Sequence, residues 1–274
     1  MRKYQILLLI AGLLTLLASL SALGGVLMSP MVTELTLQPG TSYEDDITIS
    51  NTGDKPIVIQ ASTVGFIAPE GVPQFLDPAV DDYPYSGRDL LTIAPAEQTV
   101  LPGASVLFHY RVAMPADLDP YGGRYVAAIF RVKPSGGGQV TVATQVASLF
   151  LLSPGGDVAS HLTFESINIY QKKSDPHSVV LSAKITNDGN VHISSDRIWG
   201  MINVADQDGY IVSNFKVGTH TMLPGNSYTH EENWTAPDYL ASGTYQFHLT
   251  ILIFGTAGTD PQKYMLTLPV KLEF

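Results

Sequence analysis

Three short motifs occur twice along this sequence, in the same order each time. They are an asparagine-containing turn, a Leu-Pro-Gly turn and a Gly-x-Tyr strand start, found at Asn51–Gly53, Leu101–Gly103 and Gly123–Tyr125 and again at Asn187–Gly189, Leu223–Gly225 and Gly243–Tyr245. Because chance rarely repeats three turn motifs in order, the pattern indicates a duplicated structural unit. It predicts two domains of the same fold, with a boundary at the Pro-Gly punctuation of Ser153–Gly156.

The segments between these turns have the pattern of β-strands. Stretches such as Asp46–Ser50 and Val106–Ala113 alternate apolar with polar residues, and no amphipathic helical window stands out beyond the N-terminal segment. Glycine (24) and proline (18) are frequent and charged residues make up 15% of the chain, which favours a turn-rich β protein. We therefore predict an all-β chain: an N-terminal signal or anchor helix at residues 1–24, then two immunoglobulin-like β-sandwich domains in tandem at 25–153 and 157–274.

Residues 1–24 have the composition of an export signal. Arg2 and Lys3 precede a largely apolar run from Ile6 to Leu23, and small residues follow at a possible cleavage site. A run of about 18 residues is near the lower limit for a membrane-spanning helix. The segment therefore predicts either a cleaved signal or a retained membrane tether through residues 5–23. In both cases we expect an exported protein of the extracellular space or the cell envelope.

The charge and the residue inventory exclude several classes of function. The net charge is −10 and the longest basic cluster is Lys172-Lys173, so a nucleic acid is not an expected partner. The sequence has no cysteine, which excludes disulfides and thiol catalysis. It also has no nucleotide-binding or nucleophile motif, so we predict a protein that is not an enzyme and has no cofactor.

Two polar groupings have simple structural interpretations. Asp206–Gly209 lacks the downstream glutamate of a calcium loop, and it predicts a hairpin turn instead. His230-Glu231-Glu232 lacks a second ligand at helical spacing, so it predicts an exposed polar strand instead of a zinc site. No metal site is predicted.

The first repeat contains a long insertion with aromatic residues. It spans Phe66–Leu91, is rich in proline and carries Phe66, Phe75, Tyr83 and Tyr85. A long aromatic loop on a sandwich is a candidate recognition surface. The alternative is that these side chains fold back and cover an open end of the sandwich, since aromatic residues bury apolar surface where they can.

Three stretches of the first repeat, Ile47–Asp54, Ile93–Ser105 and Pro115–Ile129, resemble the first domain of the WxL-interacting, cell-surface protein family. Residues 150–274 fit the second domain of that family more loosely. The resemblance implies an N-terminal signal, two immunoglobulin-like domains, and binding to peptidoglycan or to partner surface proteins.

A second likeness is to periplasmic pilus chaperones. Thr144–Phe150 lies in a long alternating strand, Val140–Leu152, just before the domain boundary, where those chaperones have the strand that they donate to a subunit. The likeness implies Val142 and Val146 as contact residues. Ser148 stands where the chaperones carry a basic residue, so charge-assisted capture of a terminal carboxylate is not implied. The alternative is that Val140–Leu152 is simply the last strand of the first domain, paired within its own sheet.

These observations predict an exported, non-catalytic binding or scaffold protein of the bacterial cell envelope, which contacts cell-wall polymer (peptidoglycan) or a surface protein. The alternative hypothesis is a chaperone-like protein whose Val140–Leu152 strand pairs with an exported subunit. The candidate binding residues are Phe66, Phe75, Tyr83 and Tyr85 in the loop and Val142 and Val146 in the strand.

Overall fold

The computed structural model describes residues 25–134, 144–254 and 261–274. These ranges contain strands, turns and three single-turn 3₁₀ segments, and no α-helix occurs within them. The strands build two immunoglobulin-like β-sandwiches in tandem, which confirms the predicted fold class. The predicted signal or anchor at residues 1–24 lies outside the described residues. Within them, no helix is both long and apolar enough to cross a membrane.

The first sandwich contains the first ten strands of the described residues. They are β1 (Val26–Ser29), β2 (Val32–Leu37), β3 (Ser42–Asn51), β4 (Ile57–Ile67), β5 (Gln74–Phe75), β6 (Leu91–Ala94), β7 (Glu97–Val100), β8 (Ser105–Ala113), β9 (Arg124–Pro134) and β10 (Thr144–Pro154). One sheet has the order β1-β3-β8-β6, and the other has the order β2-β10-β9-β4-β5 with β7 also paired to β4. The N-terminal segment is therefore divided between the sheets, because β1 pairs with β3 and β2 pairs with β10.

The core of the first sandwich lies between its two sheets. Period-two alternation directs one side of each strand inward, as in β8, where Phe108, Tyr110 and Val112 are buried and the residues between them are exposed. Ile47 and Ile49 of the neighbouring strand β3 point the same way, and the facing apolar side chains come from β9 and β10 of the other sheet. Phe108 and Phe130 meet edge to face with ring centroids 5.1 Å apart, an arrangement that aromatic pairs prefer.

The second sandwich contains the remaining strands. They are β11 (Leu162–Lys172), β12 (Asp175–Asn187), β13 (Ile198–Ala205), β14 (Ile211–Val217), β15 (Ser227–Thr235), β16 (Gly243–Ile253) and β17 (Gln262–Leu272). They form the sheets β11-β12-β15 and β14-β13-β16-β17. The predicted hairpin turn joins β13 to β14, where the Asp206 carboxylate accepts the N–H groups of Asp208 (3.0 Å) and Tyr210 (2.9 Å).

The first repeated motif is a buried asparagine that joins two turns. The Asn51 side-chain amide donates to the carbonyl oxygens of Lys55 (2.8 Å) and Val100 (3.1 Å). Its side-chain oxygen accepts the N–H of Gly53 (2.9 Å). Since Asn51 is 2% exposed, these bonds satisfy backbone groups that water cannot reach.

The second copy of this asparagine has the same role. Asn187 is 0% exposed, and its amide donates to the carbonyl oxygens of Val191 and Met222, both at 2.9 Å. Its side-chain oxygen accepts the N–H of Gly189 (3.0 Å). The sequence repeat is therefore also a repeat of hydrogen-bond geometry.

The Leu-Pro-Gly motif completes the same arrangement in each sandwich. Gly103 donates its N–H to the Asn51 carbonyl oxygen (2.8 Å), and Gly225 donates to that of Asn187 (2.7 Å). Both glycines have a φ of 70°, a left-handed conformation that favours glycine over residues with a Cβ. The two turn motifs of each repeat are thus in direct contact.

The structure differs from the sequence-based prediction in its short strands. β1, β5, β6 and β7 have two to four residues each. Such segments are too short for an alternation pattern to identify them. β1 and β6 are the edge strands of one sheet, and β5 and β7 both pair with β4 of the other, at positions where tertiary contacts determine the backbone conformation.

The prediction that His230 lies on an exposed polar strand is wrong. His230 is in β15 and is 4% exposed, because it lies on the same side of the strand as the buried Trp234. Both ring nitrogens lack a hydrogen-bond partner, and burial lowers the pKa of the imidazole. In the described ranges, no group of three or more histidine and acidic side chains is placed to hold a metal ion.

Replacing either repeated asparagine by alanine should destabilise the protein. Asn51→Ala and Asn187→Ala leave buried backbone groups without partners, at a cost of about 1–3 kcal/mol for each unsatisfied group. We expect the free energy of unfolding, measured by urea denaturation, to fall by about 3 kcal/mol in each variant. Asn168→Ala, a change at an exposed asparagine of β11, is the control and should stay within about 0.5 kcal/mol of the wild type. Equal losses in all three variants would contradict this role.

Candidate partner-binding edge

The candidate site is the outer edge of β10. On one side, β9 pairs with β10 from Thr144 to Leu152. On the other side, β2 pairs with β10 in parallel from Leu149 to Pro154. Among the described residues, no strand covers the outer side of Thr144–Ser148. We call this five-residue segment, Thr144–Ser148, the open edge.

The alternation of backbone groups along β10 shows which of them are free. The N–H of Leu149 donates to the Met31 carbonyl oxygen (2.9 Å), so Leu149 directs its backbone groups away from β9. Because successive residues of a strand direct these groups to opposite sides, Gln145 and Ala147 point the same way as Leu149. An extended chain could bond to Gln145 and Ala147 without displacing any strand within residues 25–134, 144–254 and 261–274.

The crossing between β1 and β2 leaves this edge open. Pro30 lies in the crossing and has no N–H to contribute to a ladder. Ser148 is 0% exposed, and its hydroxyl donates to the Pro30 carbonyl oxygen (2.8 Å). Beside this contact, Met31 is 68% exposed and Val32 is 54% exposed. Exposed apolar side chains next to free backbone groups are typical of a protein contact surface.

Val146 is one of the residues predicted for partner contact. It is partly buried against the core of the first sandwich, on the same face of β10 as Phe150 and Leu152. Its Cα partner across the ladder is Phe130 of β9. A partner strand at the open edge would therefore contact the part of the Val146 side chain that is not buried. The other predicted residue, Val142, lies outside the described residues.

The four predicted aromatic residues do not share one environment. Phe66 is 2% exposed, and Tyr83 and Tyr85 are partly buried on the outer face of the sheet that contains β9. They surround Tyr125, whose ring meets Phe66 edge to face at a centroid distance of 6.2 Å. Phe75 is the exception, because it is 43% exposed. The loop thus folds back across the sheet and leaves Phe75 accessible.

The second sandwich packs on the same aromatic cluster. Leu223 of the second Leu-Pro-Gly motif is 0% exposed and lies within the cluster. The hydroxyl of Tyr83 donates to the carbonyl oxygen of Pro224, next in the chain, at 2.8 Å. Leu101, the counterpart of Leu223 in the first repeat, is 61% exposed. The same motif is therefore an interdomain contact in one copy and a solvent-facing turn in the other.

A carboxylate on β2 ties that strand to the second sandwich. Glu34 Oε1 lies 3.0 Å from His192 Nε2 and 3.0 Å from an Arg197 guanidinium nitrogen, and Oε2 accepts the Ser194 hydroxyl at 2.9 Å. We call these four residues the Glu34 cluster. The His192 hydrogen bond is the main cause that lowers the pKa of Glu34 to about 2 from its ordinary 4.5, although burial opposes it. The backbone N–H of His192 donates to the Tyr125 hydroxyl (2.7 Å).

Two arginines lie at this junction, and both are engaged by the chain itself. Arg197 pairs with Glu34. Arg124 is 6% exposed and donates to three backbone carbonyl oxygens of its own loop. Sequence reasoning did not identify the Glu34 cluster. Glu34 and His192 are 158 positions apart, and no local pattern marks a pair that meets through domain packing.

Comparisons with known proteins give similarity of fold at low identity. No family model matches the chain, and no curated protein matches it. One similar solved structure belongs to a chaperone–tip adhesin complex of CFA/I fimbriae biogenesis, with 14% identity over 89% of this chain and 98% of that chain and a TM-score of 0.47. The class 5 fimbriae chaperone CfaA has 15% identity over 90% and 100% of the two chains and a TM-score of 0.46. The YadV chaperone has 10% identity over 89% and 99% and a TM-score of 0.45.

The three structures are named as chaperones or chaperone complexes. The resemblance to the WxL-interacting family receives no support from the comparisons.

The Glu34 cluster should make the stability of the protein depend on acid pH. Because the folded-state pKa of Glu34, about 2, lies below its ordinary value of 4.5, ionised Glu34 adds stability above about pH 4.5, and this stability is lost as the pH falls towards 2. We expect Glu34→Gln to lower the urea midpoint at pH 7, and the difference from the wild type to shrink on acidification.

The control for this experiment is Glu231→Gln, a matched change at an exposed glutamate of the second sandwich. It should stay close to the wild type at pH 7. A midpoint difference between Glu34→Gln and the wild type that is the same at pH 7 and pH 3 would contradict the electrostatic role of the cluster.

Proposed function

We propose that this protein is a non-catalytic binding protein of the cell envelope that pairs with an extended segment of an exported protein. The observation that carries the proposal is that no strand among the described residues pairs with the outer side of Thr144–Ser148. A sheet edge with free N–H and C=O groups is a template for another strand. Exposed Met31 and Val32 at the end of the open edge would add apolar contacts.

The fixed position of β2 supports this function. β2 covers the second half of the β10 edge, and the Glu34 cluster attaches it to the second sandwich. The Ser148–Pro30 hydrogen bond holds the point where the covered half ends. An edge that is already ordered reduces the conformational entropy that binding would otherwise cost. The open edge is therefore suited to accept a strand from another chain.

The N-terminal segment supports an exported partner. Residues 1–24 combine Arg2 and Lys3 with a largely apolar run, which is the composition of an export signal. A protein that leaves the cytoplasm by this route meets other exported proteins. We therefore propose that the segment bound at the open edge belongs to one of them.

A proline at Ala147 tests the proposed function. Ala147→Pro removes the outward N–H and places a ring at the edge, whereas the ladder with β9 uses the neighbouring residues and is kept. A photo-crosslinking residue in place of Gln145, in the full chain expressed in its native host, should give an adduct with a discrete exported protein. We expect Ala147→Pro to reduce this adduct at least about tenfold, which corresponds to about 1.4 kcal/mol.

Ala147→Thr is the matched control, because it changes the side chain and keeps the N–H. It should retain the adduct. Circular dichroism should confirm that both variants fold. Absence of an adduct in the wild type, or an adduct of equal yield in the proline variant, would refute pairing at the open edge.

A second candidate function rests on the exposed surface of the aromatic loop. Val72 is 60% exposed, Phe75 43% and Val80 72%, which supports contact with cell-wall polymer or a surface protein at this loop.

Phe75→Ser should lower co-sedimentation of the purified protein with isolated cell wall severalfold, because it removes an exposed ring of the loop. Tyr210→Ser, at a tyrosine that is 72% exposed in the second sandwich, is the control and should leave co-sedimentation unchanged. If the wild-type protein does not co-sediment, cell-wall polymer is excluded as the ligand of this loop.

A further inference from the structure

Two cations lie beside the open edge on the outer face of the sheet. Arg131 of β9 is the Cα partner of Gln145, and Lys133 is two residues further along the same face of β9. Both side chains are exposed. Within the described residues, neither forms an ion pair or a hydrogen bond of its side chain. Arg131 and Lys133 therefore place positive charge on this face beside the open edge. Glu97 of β7, which accepts a hydrogen bond from Gln60 of β4, lies on the opposite side of β9.

This local charge is opposite in sign to the net charge of the protein. The net charge of the protein is −10. The other described arginines are all engaged, by a carboxylate or by backbone carbonyl oxygens, at Arg88, Arg111, Arg124 and Arg197. An unneutralised pair of cations in an acidic protein is attractive to a complementary anionic group and repels a cationic one.

The geometry of a sheet places an added strand within reach of these cations. A strand bound at the open edge would lie about 4.8 Å from β10 and about 10 Å from β9. Its side chains opposite Gln145 and Ala147 would share the outer face with Arg131 and Lys133, because paired residues point to the same face. On β10, Gln145 lies between Arg131 and the residue of the added strand that would be opposite Gln145. Long side chains from both strands can meet across that single intervening strand.

The inner face of an added strand would have different surroundings. There the added strand would lie beside Val146, which is partly buried, and over the partly buried Val26 and Met28 of β1. β1 and β10 are in contact at this corner of the sandwich. Apolar side chains are favoured in such a position because burial removes apolar surface from water.

We infer that the segment bound at the open edge is an amphipathic strand that alternates apolar residues with acidic ones. Its apolar side chains face the seam between β1 and β10, and its carboxylates face Arg131 and Lys133. This inference rests on the proposed function, since it describes the partner of the same site. It assigns the chemical class of the partner segment from the two faces that the open edge presents.

Two short synthetic peptides with blocked ends test the inference. One alternates valine with glutamate, and the other alternates valine with lysine. Binding is followed by the amide NMR signal of Ala147 in the isotope-labelled protein. At low salt we expect the glutamate peptide to bind about tenfold more tightly than the lysine peptide, and we expect this preference to weaken as salt screens the charges.

Charge reversal at the two cations provides the matched variant. Arg131→Glu combined with Lys133→Glu should reverse the preference in favour of the lysine peptide. Lys263→Glu, a single reversal at an exposed lysine of β17, is the control and should keep the wild-type preference. Loss of chemical-shift dispersion in the amide spectrum of the double variant would indicate misfolding. In that case the salt dependence of peptide binding to the wild-type protein decides whether charge sets the preference.

The outcomes separate the inference from the proposed function. Equal binding of both peptides at Ala147 would overturn the acidic partner and leave strand pairing intact. Binding of neither peptide at Ala147 would count against both. If inorganic polyphosphate binds at Arg131 and Lys133 while no peptide moves the Ala147 signal, the cations serve a polyanion and the inference is wrong.

Discussion

The proposed binding site depends on which backbone groups of β10 are already hydrogen-bonded within the protein. Each N–H and C=O of a strand needs a partner in the sheet, in water or in another chain. β9 satisfies one side of β10, and β2 satisfies the second half of the other side. The crossing at Pro30 prevents the N-terminal segment from covering the first half as well. The position of one crossing therefore decides where the sheet can accept another strand.

The second sandwich gives this arrangement its rigidity. The Glu34 cluster fixes β2, and Leu223 fills the aromatic cluster on the outer face of the same sheet. Both polar and apolar contacts therefore hold the two sandwiches together. β2 is hydrogen-bonded to β10 and is also attached through Glu34 to the second sandwich. The boundary between the covered and open halves of β10 is therefore well defined. Binding at this edge requires no rearrangement of β2 or β10.

The sequence repeat was sufficient to predict the architecture. Asn51 and Asn187 have equivalent hydrogen bonds, and the alternating stretches in β3 and β8 were identified by their period. Partner pairing along Val140–Leu152 was one of two predicted alternatives, but the part of that strand with an open edge could not be predicted, because it depends on how far β2 extends along β10, which is a tertiary fact. For the same reason the Glu34 cluster was not found. His230 was misread because its acidic neighbours suggested exposure, whereas strand alternation buries its side chain.

Amide hydrogen exchange along β10 in the isolated protein tests most directly whether its outer edge is open. The N–H of Val146 bonds to β9, and the N–H of Ala147 faces the open side. We predict rapid exchange at Ala147 next to strong protection at Val146, and protection of Ala147 once a partner segment is bound. Equal protection of both amides in the isolated protein would show that the edge is already covered, and pairing of a partner strand there would be refuted.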